Sequence, residues 1–194
     1  GNSLSDLLTF GKRAGQYAAE AAAERGEFTD INQSDINQII AETLAPLSRE
    51  GGENPAKVVE DLREMMQDKV GIIRQGQQLQ EALAAFEAFS AREATTSPGG
   101  TRIYNPGWHQ ALEIGAMIDI CKMCAIAALA REESRGGHTR LDFPTPDHGH
   151  WGKINSVIVM GSSGDMELSH VNYPPISDEL KGLLDADDLH EEEE

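Results

Sequence analysis

Aromatic residues are scarce in this sequence, 5% of 194 positions against 39% hydrophobic residues overall. Ala, Leu, Ile and Met carry the apolar content, which argues against a sandwich or barrel and for helices. Positive charge is also in short supply: 16 Lys and Arg face 33 Asp and Glu, a net charge of -17. A surface that acidic repels nucleic acid and anionic headgroups, so no nucleic-acid partner is expected. Part of the excess sits in the closing DADDLHEEEE, read as a solvated acidic tail. Only two cysteines occur, Cys121 and Cys124, and no second C-x-x-C or paired His completes a zinc site. Both lie inside an apolar helical run and not at a helix start, where a redox pair gains its low pKa, so they read as buried structural thiols. Long uncharged apolar runs are missing too. The most apolar stretch, IGAMIDICKMCAIAALA, is short and carries Asp119 and Lys122. Charges in mid-membrane cost about 2.5–3.5 kcal/mol each, so this is a bundle helix and not a span.

What is present is helical patterning. Leu4, Leu7, Leu8, Gly11, Ala14, Gly15, Ala18 and Ala22 recur at spacings of three and four, and Gly26 provides a stop. The small residues on this face suit close packing on another backbone. A second helix is expected after a Ser34 cap, with Ile36, Ile39, Ile40 and Leu44 inward, ended or kinked by Pro46 and Gly51-Gly52. Asn54-Pro55 and Asn105-Pro106 are strong start signals. The first opens two helices, or one kinked helix, interrupted at VGIIRQG. The second opens the longest helix, expected to reach Ser134 and, being apolar nearly all round from Ile114 to Leu129, to be buried on several sides. TTSPGGTRIYNPG is a loop, RGGHTRLDFPTPDHGHW a crossing loop, and KINSVIVM-GSSGD-MELSHVNY a β-hairpin. VIVMGSSG lacks the spacing of a nucleotide loop and leads into a strand. The fold class is mainly α: a three-helix bundle with a C-terminal β-hairpin and an acidic tail.

Chemistry-bearing motifs are few. No serine elbow, zincin helix or pair of catalytic carboxylates is recognisable, so no catalytic and no metal-ligating residue is assigned. His148 and His150 in HGH read as part of a solvated loop. Two stretches stand out. REESRGGHTRLDFP gathers Arg131, Glu133, Ser134, Arg135, His138, Arg140 and Asp142 at a helix exit. Arg135 and His138 there could complement the negative helix end; alternatively Glu133, Ser134, Arg135, His138 and Arg140 form a polar knot that docks one domain on another. The docking reading is the one taken forward. At the other end of the chain, Ser3 and Leu4 offer unpaired N–H groups at the head of a helix, a place that attracts negative charge.

GNSLSDLLTFGKRAG, MMQDKVGIIR and REESRGGHTRLDFP together resemble, in order, segments of the flavoprotein subunit of succinate dehydrogenase and fumarate reductase. The resemblance runs from Gly1 to about Trp151. It implies the trailing part of a longer subunit: residues 1–26 as the last helix of an FAD-binding domain, 27–140 as a spectrin-repeat-like three-helix bundle, and 141–194 as crossing loop, hairpin and tail. It further implies that the backbone at Ser3 and Leu4 meets the isoalloxazine ring of FAD, and that the catalytic residues lie outside this chain. Expected partners are the FAD-binding domain and an iron-sulfur subunit, with membrane-anchor subunits indirectly, on the cytoplasmic face of the membrane. The chain alone is expected to hold no FAD, turn over no succinate and self-associate through its uncovered first helix. L-aspartate oxidase shares the motifs and is the nearest alternative; a free-standing, non-catalytic helical interaction module is one of another class.

Overall fold

The computed structural model describes residues 2–27 and 30–182; most of the acidic tail lies outside these residues. The chain divides into two compact units, Gly1–Ala41 and Glu42–Glu194.

In the first unit, α1 (Asn2–Arg25) stops at Gly26, whose φ of +72° is the left-handed conformation that glycine adopts freely. Leu4, Leu7, Leu8, Phe10 and Tyr17 on it are exposed. The next helix, α2 (Gln33–Ser48), begins in this unit and ends in the second. Its amino-terminal contact differs from expectation: Asn32 Oδ1, not Ser34, accepts the Ser34 N–H at 3.0 Å. Asn32 has the shorter reach to the second N–H beyond it, an Asx-turn geometry. The inward face is also narrower than expected, since Ile39 and Ile40 are 61% and 51% exposed. Pro46 neither ends nor precedes the end by a full turn. It sits inside the last turn, where the helix forfeits a single internal hydrogen bond and stops two residues later.

The second unit contains a three-helix bundle of α3 (Pro55–Val70), α4 (Gly76–Glu93) and α5 (Pro106–Ala130). Both Asn-Pro starts form as read. Asn54 Oδ1 accepts from the Ala56 N–H at 2.9 Å and Asn105 Oδ1 from the Trp108 N–H at 3.0 Å. Asn54→Ala is expected to cost about 1 kcal/mol of stability, measured by chemical denaturation. Val58, Val59 and Leu62 of α3, Leu79, Ala82, Phe86 and Phe89 of α4, and Ile114, Ile118, Ala125 and Ala128 of α5 form one core. At the open end of α3 and α4, Arg92 pairs with Glu53 (Nε to Oε2, 2.9 Å) and with Asp61 (Nη2 to Oδ2, 2.6 Å). Arg49 Nη1 reaches the Thr96 carbonyl at 3.1 Å there.

The longest helix departs from expectation in three ways. It ends at Ala130, not Ser134, because Arg131 turns to an extended backbone to enter the loop beyond. It is not buried on all sides: Leu112 and Ile120 are 40% and 58% exposed. Cys121 is half-buried and Cys124 exposed, so the thiols are not both core groups. Cys124 falls at the edge of the stripe set by Ala111, Ile114, Ile118, Ala125 and Ala128, where a three-residue step carries the chain out of the core.

VGIIRQG separates α3 from α4 and supplies β1 (Ile73–Arg74), which pairs in parallel with β2 (Thr139–Arg140). A turn of 3₁₀ helix at Trp151–Lys153 leads into the hairpin of β3 (Ile154–Met160) and β4 (Met166–Asn172), antiparallel from Ile154–Asn172 to Met160–Met166. GSSGD is its turn, closed by Gly161 N–H to the Asp165 carbonyl at 2.8 Å. A four-residue helix, α6 (Asp178–Lys181), is the last described element.

Candidate functional site: a buried polar knot at the end of the longest helix

The residues that the sequence gathers after α5 are brought together by the fold. Glu133 and Arg140 are 0% and 2% exposed. Charged side chains so deeply placed must be paired, and both are.

Glu133 is the anchor of the first half. It accepts from Arg131, from Arg135 (Nε 3.0 Å, Nη2 3.2 Å) and from the Asp147 N–H at 2.8 Å. Burial pushes its carboxyl upward. The hydrogen bonds from Arg135, the Asp147 backbone and Arg131 outweigh that and hold it below the ordinary carboxylate value. Arg131 also lies over the Trp151 ring, 5.1 Å from its centroid, and donates to the Trp151 carbonyl at 3.1 Å. Trp151 in turn meets His170 of β4 edge-on at 5.2 Å, which attaches the hairpin to the knot.

Arg140 is the anchor of the second half. Its Nη1 donates to the carbonyls of Ala128 (2.8 Å), Leu129 (2.9 Å) and Arg131 (3.1 Å), the orphan acceptors at the end of α5. Its Nε and Nη2 form a fork on Asp142, both at 2.8 Å. That fork pulls the Asp142 carboxyl down to about 2. Asp142 Oδ2 also accepts the Gly76 N–H at 3.0 Å, so the loop after α5 caps the start of α4. A Cβ at Gly76 would stand 2.9 Å from that oxygen, so a side chain there would have to push the Asp142 carboxylate aside. Ser134 bridges within the loop: its Oγ accepts from the Arg140 N–H at 2.9 Å and donates to the Phe143 carbonyl at 2.8 Å.

Helix-end capping is thus real but differently assigned. Arg140, not Arg135, neutralises the end of α5, because Arg135 is turned to Glu133. His138 does contribute, with Nε2 3.2 Å from the Arg131 carbonyl, while Nδ1 lies 2.6 Å from Arg74 Nη1 of β1. Arg74 is a member the sequence reading missed. It is 64 residues from His138, and only the parallel β1–β2 pairing brings the two together.

Ser3 and Leu4 lie in the first turn of α1, in the other unit. Their N–H groups precede any i−4 carbonyl, and no acidic side chain occupies that turn. His148 and His150 are exposed, and among the described residues no group of three or more metal-ligating side chains occurs. No helix among the described residues is long and apolar enough to cross a membrane.

These residues form a helical bundle whose longest helix ends in a buried ionic knot. The chain belongs to the family described as fumarate reductase flavoprotein C-term, whose pattern matches residues 59–181. A fumarate reductase flavoprotein subunit from Mycobacterium tuberculosis is 34% identical over 184 residues, 91% of this chain and 31% of its own length. A succinate dehydrogenase flavoprotein subunit from Coxiella burnetii is 27% identical over 94% of this chain and 30% of its own. The fold superposes on the Mycobacterium smegmatis Sdh1 complex in the apo form with a TM-score of 0.87 at 36% identity, covering 98% of this chain and 33% of that one. The chain therefore spans about a third of the length of the relatives it matches. The L-aspartate oxidase alternative is not favoured. The family is one of flavoproteins, so a flavin belongs to the parent protein.

Proposed function

We propose that this chain is the carboxy-terminal scaffold of an FAD-dependent enzyme interconverting succinate and fumarate, and that α1 supports the flavin. The family match over residues 59–181 carries the reading. The first turn of α1 fits an electron-rich group: the N–H groups of Ser3 and Leu4 point out of the helix head, with no carboxylate there to compete. FAD, when bound, supplies the hydride acceptor; Ser3 and Leu4 donate hydrogen bonds to its electron-rich edge and favour charge arriving there. The exposed Leu4, Leu7 and Leu8 are covered by the FAD-binding part of the parent protein, and in the isolated chain by self-association.

The knot around Glu133, Ser134, Arg135, His138 and Arg140 holds the loop after α5 in one shape, as a docking surface for the FAD-binding part and an iron-sulfur subunit. Membrane-anchor subunits attach through that partner, which places the assembly on the cytoplasmic face of the membrane.

The test uses the complete flavoprotein. Ser3→Pro removes one N–H from a first turn that tolerates proline. It is expected to lower flavin retention and succinate-dependent dye reduction while leaving helix content intact by circular dichroism. Unchanged flavin content and unchanged dye reduction would overturn the role given to α1. Dye reduction with succinate by the purified 194-residue chain alone would overturn the scaffold reading.

A further inference from the structure

His138 occupies a position with one chemical consequence that the scaffold role does not use. Its Nδ1 is 2.6 Å from Arg74 Nη1, and its Nε2 is 3.2 Å from the Arg131 carbonyl. A guanidinium has only donors and a carbonyl only accepts, so the imidazole must be neutral, with its proton on Nε2. Protonating Nδ1 places two donors face to face. The charges that act most strongly on the ring are cations: Arg74 from the α3–α4 joint, Arg140 from β2 and Arg131 from the end of α5. The carboxylates of the knot are turned elsewhere, Glu133 to Arg131 and Arg135, Asp142 to Arg140. Cys124 of α5 faces Arg74.

We propose that His138 is a proton-operated latch: neutral, it bridges Arg74 to the end of α5, and on taking up a proton it frees β2 and the loop after α5 from β1. Two backbone bonds register the state of the latch. Thr139 N–H donates to the Ile72 carbonyl at 3.3 Å and Leu141 N–H to the Arg74 carbonyl at 2.9 Å. Arg74 remains fixed in either state by its Nε bond to the Gly71 carbonyl at 2.7 Å, so the moving part is the loop side.

The direction with pH follows from the imidazole's two environments. Burial, followed by the neighbouring arginines, lowers its pKa in the closed knot, against the smaller opposing effect of the Arg131 carbonyl. In the opened loop it titrates at the ordinary value of about 6.5. The closed state is therefore fully favoured above that value and loses ground as pH falls toward the closed-state pKa, about tenfold per pH unit. Asp142, at about 2, and Glu133, held below the ordinary carboxylate value, stay ionised at pH 5. Of these knot residues, only His138 changes charge between pH 7.5 and 5.

The latch rests on bonds within the chain and not on the flavin reading. Amide hydrogen exchange on the full chain at pH 5 and 7.5, corrected for intrinsic rates, tests it. Protection at Thr139 and Leu141 is expected to fall as pH drops below 6.5, by up to about tenfold per pH unit, while Leu62 and Ile114 in the core hold theirs. His138→Asn keeps an acceptor toward Arg74 but cannot titrate, and its protection is expected to be flat with pH. Flat protection in the unsubstituted chain, or the same slope in the Asn variant, overturns the latch. Should that variant not fold, the imidazole titration of His138 by NMR decides. A midpoint below the ordinary value, accompanied by loss of Thr139 and Leu141 protection, supports it, and a midpoint at or above that value overturns it.

Discussion

Glu133→Ala is expected to lower the unfolding free energy of this chain by about 3 kcal/mol, read as a drop in urea midpoint at neutral pH. The carboxylate is fully buried and holds two guanidiniums and the Asp147 N–H. Removing one member of a buried ion pair costs about 3–5 kcal/mol because its partners keep their charge without compensation. The lower end applies here: the side chains of Arg131 and Arg135 are 20% and 38% exposed and can turn partly to water. Glu133→Gln keeps one acceptor and restores only part of the loss, since its amide NH₂ faces a donor whichever way it turns. The substitution should also loosen Trp151, which Arg131 covers. A midpoint within error of the unsubstituted chain would remove Glu133 as the anchor of the knot.

Arg140→Leu should be of similar size, about 3 kcal/mol, for a different reason. Leucine fills much of the buried volume, so the cost is in polar groups left behind. The Ala128 and Leu129 carbonyls at the end of α5 lose this donor, the Arg131 carbonyl is left to His138, and Asp142 loses both bonds of its fork. Each buried acceptor stranded in this way costs about 1–3 kcal/mol. Local water entry and relaxation of the exposed loop keep the total below the sum. Arg140→Lys separates charge from shape. A lysine supplies the charge but not the fork that serves Asp142 and the helix end together, so it should recover less than half of the lost stability. Full recovery by lysine would show that charge alone matters at this position.

The bundle was legible because its signals are local. Asn54-Pro55 and Asn105-Pro106 act within three residues, the hairpin alternates around a glycine turn, and the apolar spacing from Val58 to Phe86 marks the inward faces. The knot was legible as a concentration of charge but not as a wiring diagram. Which arginine caps α5 depends on how the loop folds back after Gly136, at φ +57°, and Arg140 ends up beneath the helix while Arg135 turns to Glu133. β1 and β2 are two residues each, too short to leave a periodic trace, so Arg74 could not be joined to His138. The pairing of Arg92 with Glu53 and Asp61 spans 39 and 31 positions and leaves no pattern either. Cys124 and Ile120 were misplaced for the opposite reason: an apolar composition all round a helix does not say which side the neighbouring helices leave open.

Arg92 with Glu53 and Asp61 fastens the bundle at one end, and Arg140 with Asp142 and Gly76 fastens it at the other. Between these fastenings the helices meet through Ala82, Ala125 and their apolar neighbours, a smooth interface that resists separation better than sliding. The first fastening joins α4 to α3 and the second joins α4 to the end of α5, so α4 cannot slide along either neighbour without opening one of them.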